Sequence, residues 1–503
     1  MTGGKVYLVG AGPGDAGLIT VKGLDCLREA DVIVYDRLID AKVLDSVYFD
    51  AEMIYVGKSS KIHAKEQHEI NQILVDKAKE GKVVVRLKGG DPFVLGRGGE
   101  EAEELVANDV SFEVVPGISS AIAVPAYAGI PVTHRTLASS FAVITGHEDP
   151  TKEMSTINWE NLATGVDTLI FLMGMNNLPL IVDKLVECGR SQDTPVALVR
   201  QGTTLRQQTL TGTLSTIVNK ANDAGFQPPV VIVVGEVVKL REGLAWFENR
   251  PLFGKRVLVT RARSQASVLT RMLMERGAEP VELPAIEIRD IVDTTELDTA
   301  VRDLHGFQWI IFTSANGVEA FWKRLRALNK DARWLGSVKI GAIGPATAQT
   351  LERYGLHPDF MPEEYTSTGV ISGLAAKEIA GCRILLPRAD IAPRELADGV
   401  ARLGAVPHEV TAYVTKLPAD SVSLGKQMLL DGQIDIITFT SSSTVTNLLT
   451  ALGDEWYVAK NATIACIGPV TATTAEKAGL RVDIIAWEQT ISGLVAAIED
   501  ACS

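Results

Sequence analysis

The stretch V-Y-L-V-G-A-G-P-G-D, Val6–Asp15, decides the fold of the first half of this chain. Its apolar run, Val6–Gly10, reads as a buried strand, and it passes directly into Ala11-Gly12-Pro13-Gly14-Asp15. Glycines in such a turn allow positive φ and let a ligand approach the backbone closely. Strand, glycine turn and helix-length segment together form the repeating unit of an α/β domain. A dinucleotide site would read G-x-G-x-x-G; here Asp15 stands where the third glycine belongs, and Pro13 stiffens the turn. Taken alone, the turn is equally an ordinary strand–helix connection. Asp36 follows the next strand-like run, Val32–Tyr35. It is placed like a ribose-binding acid and equally like the cap of the turn that follows it.

The pattern recurs outward from that stretch. Val83–Leu87 runs into Lys88-Gly89-Gly90-Asp91-Pro92 and then Gly96-Arg97-Gly98-Gly99-Glu100-Glu101. A further strand ends in Pro116-Gly117-Ile118-Ser119-Ser120, and Gly129–Arg135 follows. Open α/β sheets place their ligands at the C-terminal ends of the strands, where these loops fall. Leu169–Met173, Val196–Arg200 and Val230–Gly235 continue the alternation, which predicts α/β domains with largely parallel sheets. The segment Lys239–Gly254 breaks it, and Lys255–Arg261 opens a fresh strand, so a domain boundary is expected near residue 250.

Beyond that boundary the chain repeats itself. Phe312-Thr313-Ser314 recurs as Phe439-Thr440-Ser441, and Ile343-Gly344-Pro345-Ala346-Thr347-Ala348 recurs as Ile467-Gly468-Pro469-Val470-Thr471-Ala472. Arg256–Arg261 likewise matches Arg383–Arg388. Two units are too few for a solenoid and predict a pair of α/β lobes with a ligand cleft between them. Pro at a helix start, with Thr close behind, leaves outward N–H groups that suit an anion. Ser314, Thr440 and Ser441 sit in the corresponding strand-to-helix loops, where a hydroxyl also serves simply as an N-cap.

Composition excludes several classes. The chain has 503 residues, 46% hydrophobic and 22% charged, with a net charge of −13, and neither half carries a basic excess. General nucleic-acid binding is therefore not expected, and anionic ligands must be met locally by arginines and backbone amides. Five scattered cysteines show no metal or redox spacing, no histidine cluster suggests a metal, and no stretch reaches the ~20 apolar residues of a membrane helix. A cytoplasmic protein without a signal peptide is expected.

The first half resembles the tetrapyrrole methylases, close to uroporphyrinogen-III C-methyltransferase, over residues 5 to about 245. The resemblance rests on VYLVGAGPGDAGLITVKG (6–23), YDRLI (35–39), VGK (56–58), RLKGGDPFVLGRGGEE (86–101), VVPGISSAIAVPAYAGIPVTHR (114–135), FLMGM (171–175) and QGTTLRQQTLTGTL (201–214). It implies a two-lobed α/β domain that works as a homodimer and binds S-adenosylmethionine through Pro13, Gly89, Gly90, Asp91, Val94, Ser119, Ser120, Met173 and Gly202. Asp36 is implied as a proton acceptor and Lys58 as a proton donor; Arg135 competes for proton handling, although arginine is a poor base. The acceptor, uroporphyrinogen III, carries eight carboxylates, which suit arginine forks such as Arg97 and Arg135. Glu100 is placed in the same site and equally suits an ion pair with Arg97; for Arg97 the substrate role is favoured over that ion pair or a solvated loop position.

The second half resembles uroporphyrinogen-III synthase over about 255–500, through KRVLVTRA, FTSANGVEAF, AIGPATA, LLPRAD, TFTSSSTV and CIGPVTA. That implies a doubly wound, flavodoxin-like pair of interleaved lobes, one made of about 255–287 plus 416–503 and the other of 288–414. It also implies closure of hydroxymethylbilane to uroporphyrinogen III. Tyr413 is the candidate general acid and equally a strand tyrosine; Ser314, Thr347, Thr440, Ser441 and Thr471 are candidate substrate contacts, with Arg261, Arg388 and Arg394 as further carboxylate partners. Together the halves would form precorrin-2 by two methylations, at C2 and C7, on the way to sirohaem or cobalamin, without a metal. The alternative keeps the methylase and makes the second half a non-catalytic tetrapyrrole-binding module. A nicotinamide oxidoreductase is disfavoured by Asp15.

Overall fold

The computed structural model describes residues 4–37, 39, 41–44, 51–57, 66–146, 157–260, 263–283, 287–336, 338–416 and 422–502. The chain divides into two compact units, Met1–Lys255 with Glu275–Glu279, and Arg256–Met274 with Pro280–Ser503.

The first unit opens with strands β1 (Lys5–Gly10), β2 (Val32–Tyr35), β3 (Glu52–Tyr55), β4 (Val83–Lys88) and β5 (Ser111–Val115). They form one parallel sheet in the order β3-β2-β4-β1-β5. The period of two sorts each strand between two cores. Val6, Leu8, Val34 and Val84 pack against the helices Gln67–Lys79 and Gly98–Ala107, while Val9, Ile33, Val85 and Leu87 pack with Cys26 and Leu27 of the helix Val21–Glu29. Because all five strands run the same way, Gly10, Asp36, Lys88 and Pro116 emerge at one edge.

The next sheet corrects the expectation of largely parallel pairing. It holds β6 (Phe141–Thr145), β7 (Thr168–Leu172), β8 (Pro195–Arg200), β9 (Gln208–Thr213) and β10 (Val230–Val234) in the order β6-β7-β10-β8-β9. Only β6 and β7 run parallel; β7–β10, β10–β8 and β8–β9 are antiparallel. The link between β8 and β9 is too short for a crossover, so those two strands must form a hairpin.

The second unit holds two sheets. One is β12-β11-β18-β19-β20, from β11 (Arg256–Val259), β12 (Glu279–Glu282), β18 (Ile436–Phe439), β19 (Thr463–Cys466) and β20 (Ile484–Ile485). The other is β13-β17-β16-β14-β15, from β13 (Glu287–Asp290), β14 (Trp309–Phe312), β15 (Lys339–Ala342), β16 (Arg383–Ala389) and β17 (Val406–Lys416). The chain thus leaves the first of these sheets, builds the second and returns. Thr260 Oγ1 donates to the Thr438 carbonyl at 2.8 Å and Thr438 Oγ1 to the Leu258 carbonyl at 2.9 Å, tying the early strand to the late one.

The repeat is visible in matching caps. Ser314 caps the helix Ala315–Ala327 by accepting from Gly317 N at 3.0 Å, and Ser441 caps Ser442–Leu452 by accepting from Thr444 N at 3.3 Å. Gly344-Pro345 and Gly468-Pro469 open the helices after β15 and β19. Asp359 and Asp483 accept from the backbone amides of Ile340 and Ile464 at 2.7 and 3.0 Å.

Candidate functional site

Three glycines make the floor at the strand edge of the first unit. A Cβ on Gly10 would lie 2.5 Å from Gly117 Cα and 2.6 Å from the Gly90 carbonyl oxygen, so the ends of β1, β4 and β5 approach backbone to backbone. Gly12 and Gly90 exchange hydrogen bonds across the edge, at 3.3 and 2.8 Å, and both have positive φ. Asp91 stitches the loops together: Oδ2 accepts from Gly117 N at 3.0 Å and Oδ1 from Phe93 N at 2.8 Å. Ser119 caps the helix Ser120–Tyr127, accepting from Ala121 N at 3.2 Å.

The antiparallel sheet supplies the opposite wall. Gly202 lies directly against Val124, and Thr203 Oγ1 accepts from Asp15 N at 3.1 Å. Asp15 in turn caps a short turn through Gly17 N at 2.8 Å and accepts from the Tyr127 hydroxyl at 2.9 Å. Burial, and then the Asp15 carboxylate, push the Tyr127 phenol well above its usual range. Asp15, Tyr127 and Thr203 therefore set the spacing of the two walls; the sequence reading used Asp15 only to argue against a dinucleotide site. Tyr127 and Thr203 lack any glycine-turn signature, and only pairing across 188 residues reveals the latter.

Strain collects here. Among the described residues, seven non-glycine residues have positive φ, and five of them, Leu95, Arg97, Met173, Gln201 and Thr203, lie in these loops. Each costs of order 1 kcal/mol, so the concentration marks the loops as constrained for a purpose other than stability. Asp109 and Asn329 merely follow helix ends. Val94, Leu95 and Met173 are exposed, apolar and unpaired with a core, while Pro13, Gly89 and Ser120 are half-buried at the same edge.

The charged residues separate into two kinds. Arg97 forks onto Glu100, Nε to Oε1 at 2.9 Å and Nη2 to Oε2 at 2.6 Å, with both side chains exposed. Hydrogen bonding within the pair raises the Arg97 pKa and holds Glu100 below the usual carboxylate range. Asp36 is part-buried and accepts from Arg86 Nη2 at 3.3 Å. Arg135 is exposed in the turn that leads to β6, and Lys58 lies outside the described residues.

In the second unit, Tyr413 is 8% exposed and its hydroxyl lies 3.0 Å from Ser314 Oγ, so the fold brings these two predicted residues together. Tyr413 is flanked in the sheet by Asp290 on β13 and Ala389 on β16, beside a bulge at Arg388/Ala389. Thr347 and Thr471 are buried in the first turns of their helices; Thr440 and Ser441 follow β18 of the other sheet, in the turn that leads to the helix Ser442–Leu452. Arg388, expected as a carboxylate partner, is instead buried, donating to the Pro393 carbonyl and to Glu409, both at 2.8 Å. Arg261 lies outside the described residues. No group of three or more metal-ligating side chains occurs among the described residues, and no described helix is long and apolar enough to cross a membrane.

The four sheets and the glycine-floored edge define a two-module α/β protein, and known families match each module. The family of tetrapyrrole (corrin/porphyrin) methylases matches residues 5–218, and uroporphyrinogen-III synthase HemD matches residues 267–496. The chain belongs to the family represented by the porphyrin biosynthesis protein HemD of Ruminiclostridium josui, to which it is 40% identical over 495 residues, covering 98% of this chain and 97% of that one. It combines a tetrapyrrole methylase module with a uroporphyrinogen-III synthase module in one protein of tetrapyrrole biosynthesis. It is also similar to the S-adenosyl-L-methionine-dependent uroporphyrinogen III methyltransferase of Methanosarcina barkeri, at 54% identity over 239 residues, 48% of this chain and 94% of that one. Among solved structures, the uroporphyrin-III C-methyltransferase of Thermus thermophilus complexed with S-adenosylhomocysteine is 38% identical, covers 47% of this chain and 99% of that one, and has a TM-score of 0.41.

Proposed function

We propose that the second half closes hydroxymethylbilane to uroporphyrinogen III, with inversion of ring D, and that the first half methylates this product at C2 and C7 to give precorrin-2. The observation that carries this reading is the presence of both modules in one chain whose relative in Ruminiclostridium josui spans the same length. The product of one module is the substrate of the other. The chain is proposed to act in the cytoplasm as a homodimer through its first half.

The glycine floor fits S-adenosylmethionine. A Cβ on Gly90 would touch the Ser119–Ser120 backbone only at ordinary contact distance, nothing nearer than 3.7 Å, and exposed Val94 and Met173 offer apolar walls for an adenine. Ser119, Ser120 and Gly202 complete the proposed pocket, with Pro13 and Gly89 at its rim. S-adenosylmethionine supplies a methyl on a sulfonium: the acceptor ring carbon forms the C–C bond as the C–S bond breaks, S-adenosylhomocysteine leaves, and the ring gives up a proton. Asp36 takes that proton, and Lys58 is the proposed donor. Arg97 and Arg135 orient the substrate carboxylates, Arg97 exchanging Glu100 for them, and Glu100 holds the Arg97 fork in the site until they arrive. In the synthase module Tyr413 protonates the departing hydroxyl, Ser314 orients Tyr413, and Thr347, Thr440, Ser441 and Thr471 hold carboxylates.

Incubating the whole chain with hydroxymethylbilane and S-adenosylmethionine tests the reading. A dimethylated type III product is expected; accumulation of the type I isomer alone sinks the synthase claim, and unmethylated uroporphyrinogen III sinks the methylase claim. Asp91→Ala strands two amides that now bond to a carboxylate, so S-adenosylhomocysteine affinity is expected to fall about tenfold by calorimetry, with cyclisation intact. Tyr413→Phe should slow cyclisation by about a hundredfold without touching methylation, measured by single-turnover assay.

A further inference from the structure

Strand β4 reads V-V-V-R-L-K, and its alternation turns Val84, Arg86 and Lys88 toward the same helices. Two cations at successive inward positions conflict with the apolar pattern around them. Such conflicts between local pattern and fold concentrate at functional sites.

The cations converge on Glu101, the fourth residue of the helix Gly98–Ala107, which is fully buried. Glu101 Oε1 accepts from Arg86 Nε at 3.0 Å, from Lys88 Nζ at 2.7 Å and from Gln67 Nε2 at 3.3 Å; its Oε2 is buried and has no partner among the described residues. Arg86 is pinned on every side. Nη1 donates to the Val34 carbonyl at 3.3 Å and to the Leu87 carbonyl at 3.0 Å, and Nη2 is left for Asp36 Oδ2 at 3.3 Å. Burial, and then the neighbouring Arg86, pull the Lys88 ammonium below its usual range, an effect that Glu101 opposes. Exposure rises along the chain of charges, from 0% at the Glu101 side chain to 26% at Asp36, the outer end.

We infer that Glu101, with Lys88 beside it, is a positioning residue for methyl transfer: through Arg86 it fixes the Asp36 carboxylate at the strand edge where the substrate must sit. This deepens the proposed role of Asp36 and rests on it. A buried network of this kind is a poor way to stabilise a sheet, since well-packed apolar residues of the same volume usually do as well or better. Its geometry leaves Arg86 one direction in which to act, and that direction is Asp36.

The test uses the full chain, with methyl transfer to uroporphyrinogen III followed by radiolabel. Glu101→Gln is expected to lower kcat at least about tenfold while the KM for S-adenosylmethionine and the affinity for S-adenosylhomocysteine stay within about twofold. The double variant Glu101→Gln/Asp36→Asn should be no slower than Asp36→Asn alone, because the two act as a unit. An unchanged kcat for Glu101→Gln overturns the inference, and so do losses that multiply in the double variant. If Glu101→Gln does not fold, Arg86→Lys, which keeps the charge and loses the fork, is read in the same cycle with the same two outcomes. A wild-type chain that methylates nothing defeats the proposed function; a wild type that methylates beside an unaffected variant defeats only this inference.

Discussion

Replacing Gly117 by alanine is expected to weaken binding of S-adenosylhomocysteine by about ten- to a hundredfold, while cyclisation of hydroxymethylbilane stays within about twofold. The added Cβ would sit 2.7 Å from Gly10 Cα and closer still to the Gly90 carbonyl oxygen. Neither neighbour is a side chain that can rotate away. The ends of β1 and β4 must therefore part, and the mutual hydrogen bonds of Gly12 and Gly90 go with them. Overpacking of a rigid site typically costs about 1–3 kcal/mol, and here it falls on the floor of the proposed pocket. Calorimetry with S-adenosylhomocysteine and circular dichroism on the same sample decide the matter. An affinity within about threefold of wild type would show that the three-glycine floor is not where the cofactor lies.

Asp36→Asn carries the other large effect. The amide keeps the shape of the carboxylate and can still accept from Arg86, yet it cannot take a proton from the methylated ring. Loss of a positioned general base costs about 10²–10⁴ in rate, so methyl transfer should fall into that range with S-adenosylhomocysteine binding unchanged. Single-turnover methylation at saturating S-adenosylmethionine measures it. A rate within about fivefold of wild type would return Asp36 to the structural role its place at a strand end also allows, and Arg135 would become the next residue to test.

Much of the architecture was legible in local pattern. Buried β-branched runs marked β1, β4, β7, β8 and β10, and glycine turns marked the edge to which Gly10, Gly90 and Gly117 come. What misled was direction. Val196–Arg200 and Val230–Val234 look like any buried parallel strand, because a strand covered on both faces is apolar throughout whichever way its neighbours run. The Ser and Thr residues of the second half were legible as helix starts, and Ser314 and Ser441 do cap helices; their hydroxyls contribute to the fold before any ligand arrives.

The sequence by itself determined the two modules, the internal repeat and the loops rich in glycine, because each of these is written in residues adjacent along the chain. Only the tertiary structure decided which side chains meet. Thr203 reaches the Asp15 amide, Ser314 reaches Tyr413 across 99 positions, and Arg388 turns inward to Glu409 although its motif pointed to a ligand. It also joined Asp36, Arg86, Lys88 and Glu101, three of which stand within sixteen residues of one another without any spacing rule that links them. Hydrogen bonds and ion pairs form over about 3 Å, and a parallel sheet brings distant strand ends within that reach regardless of their separation in sequence.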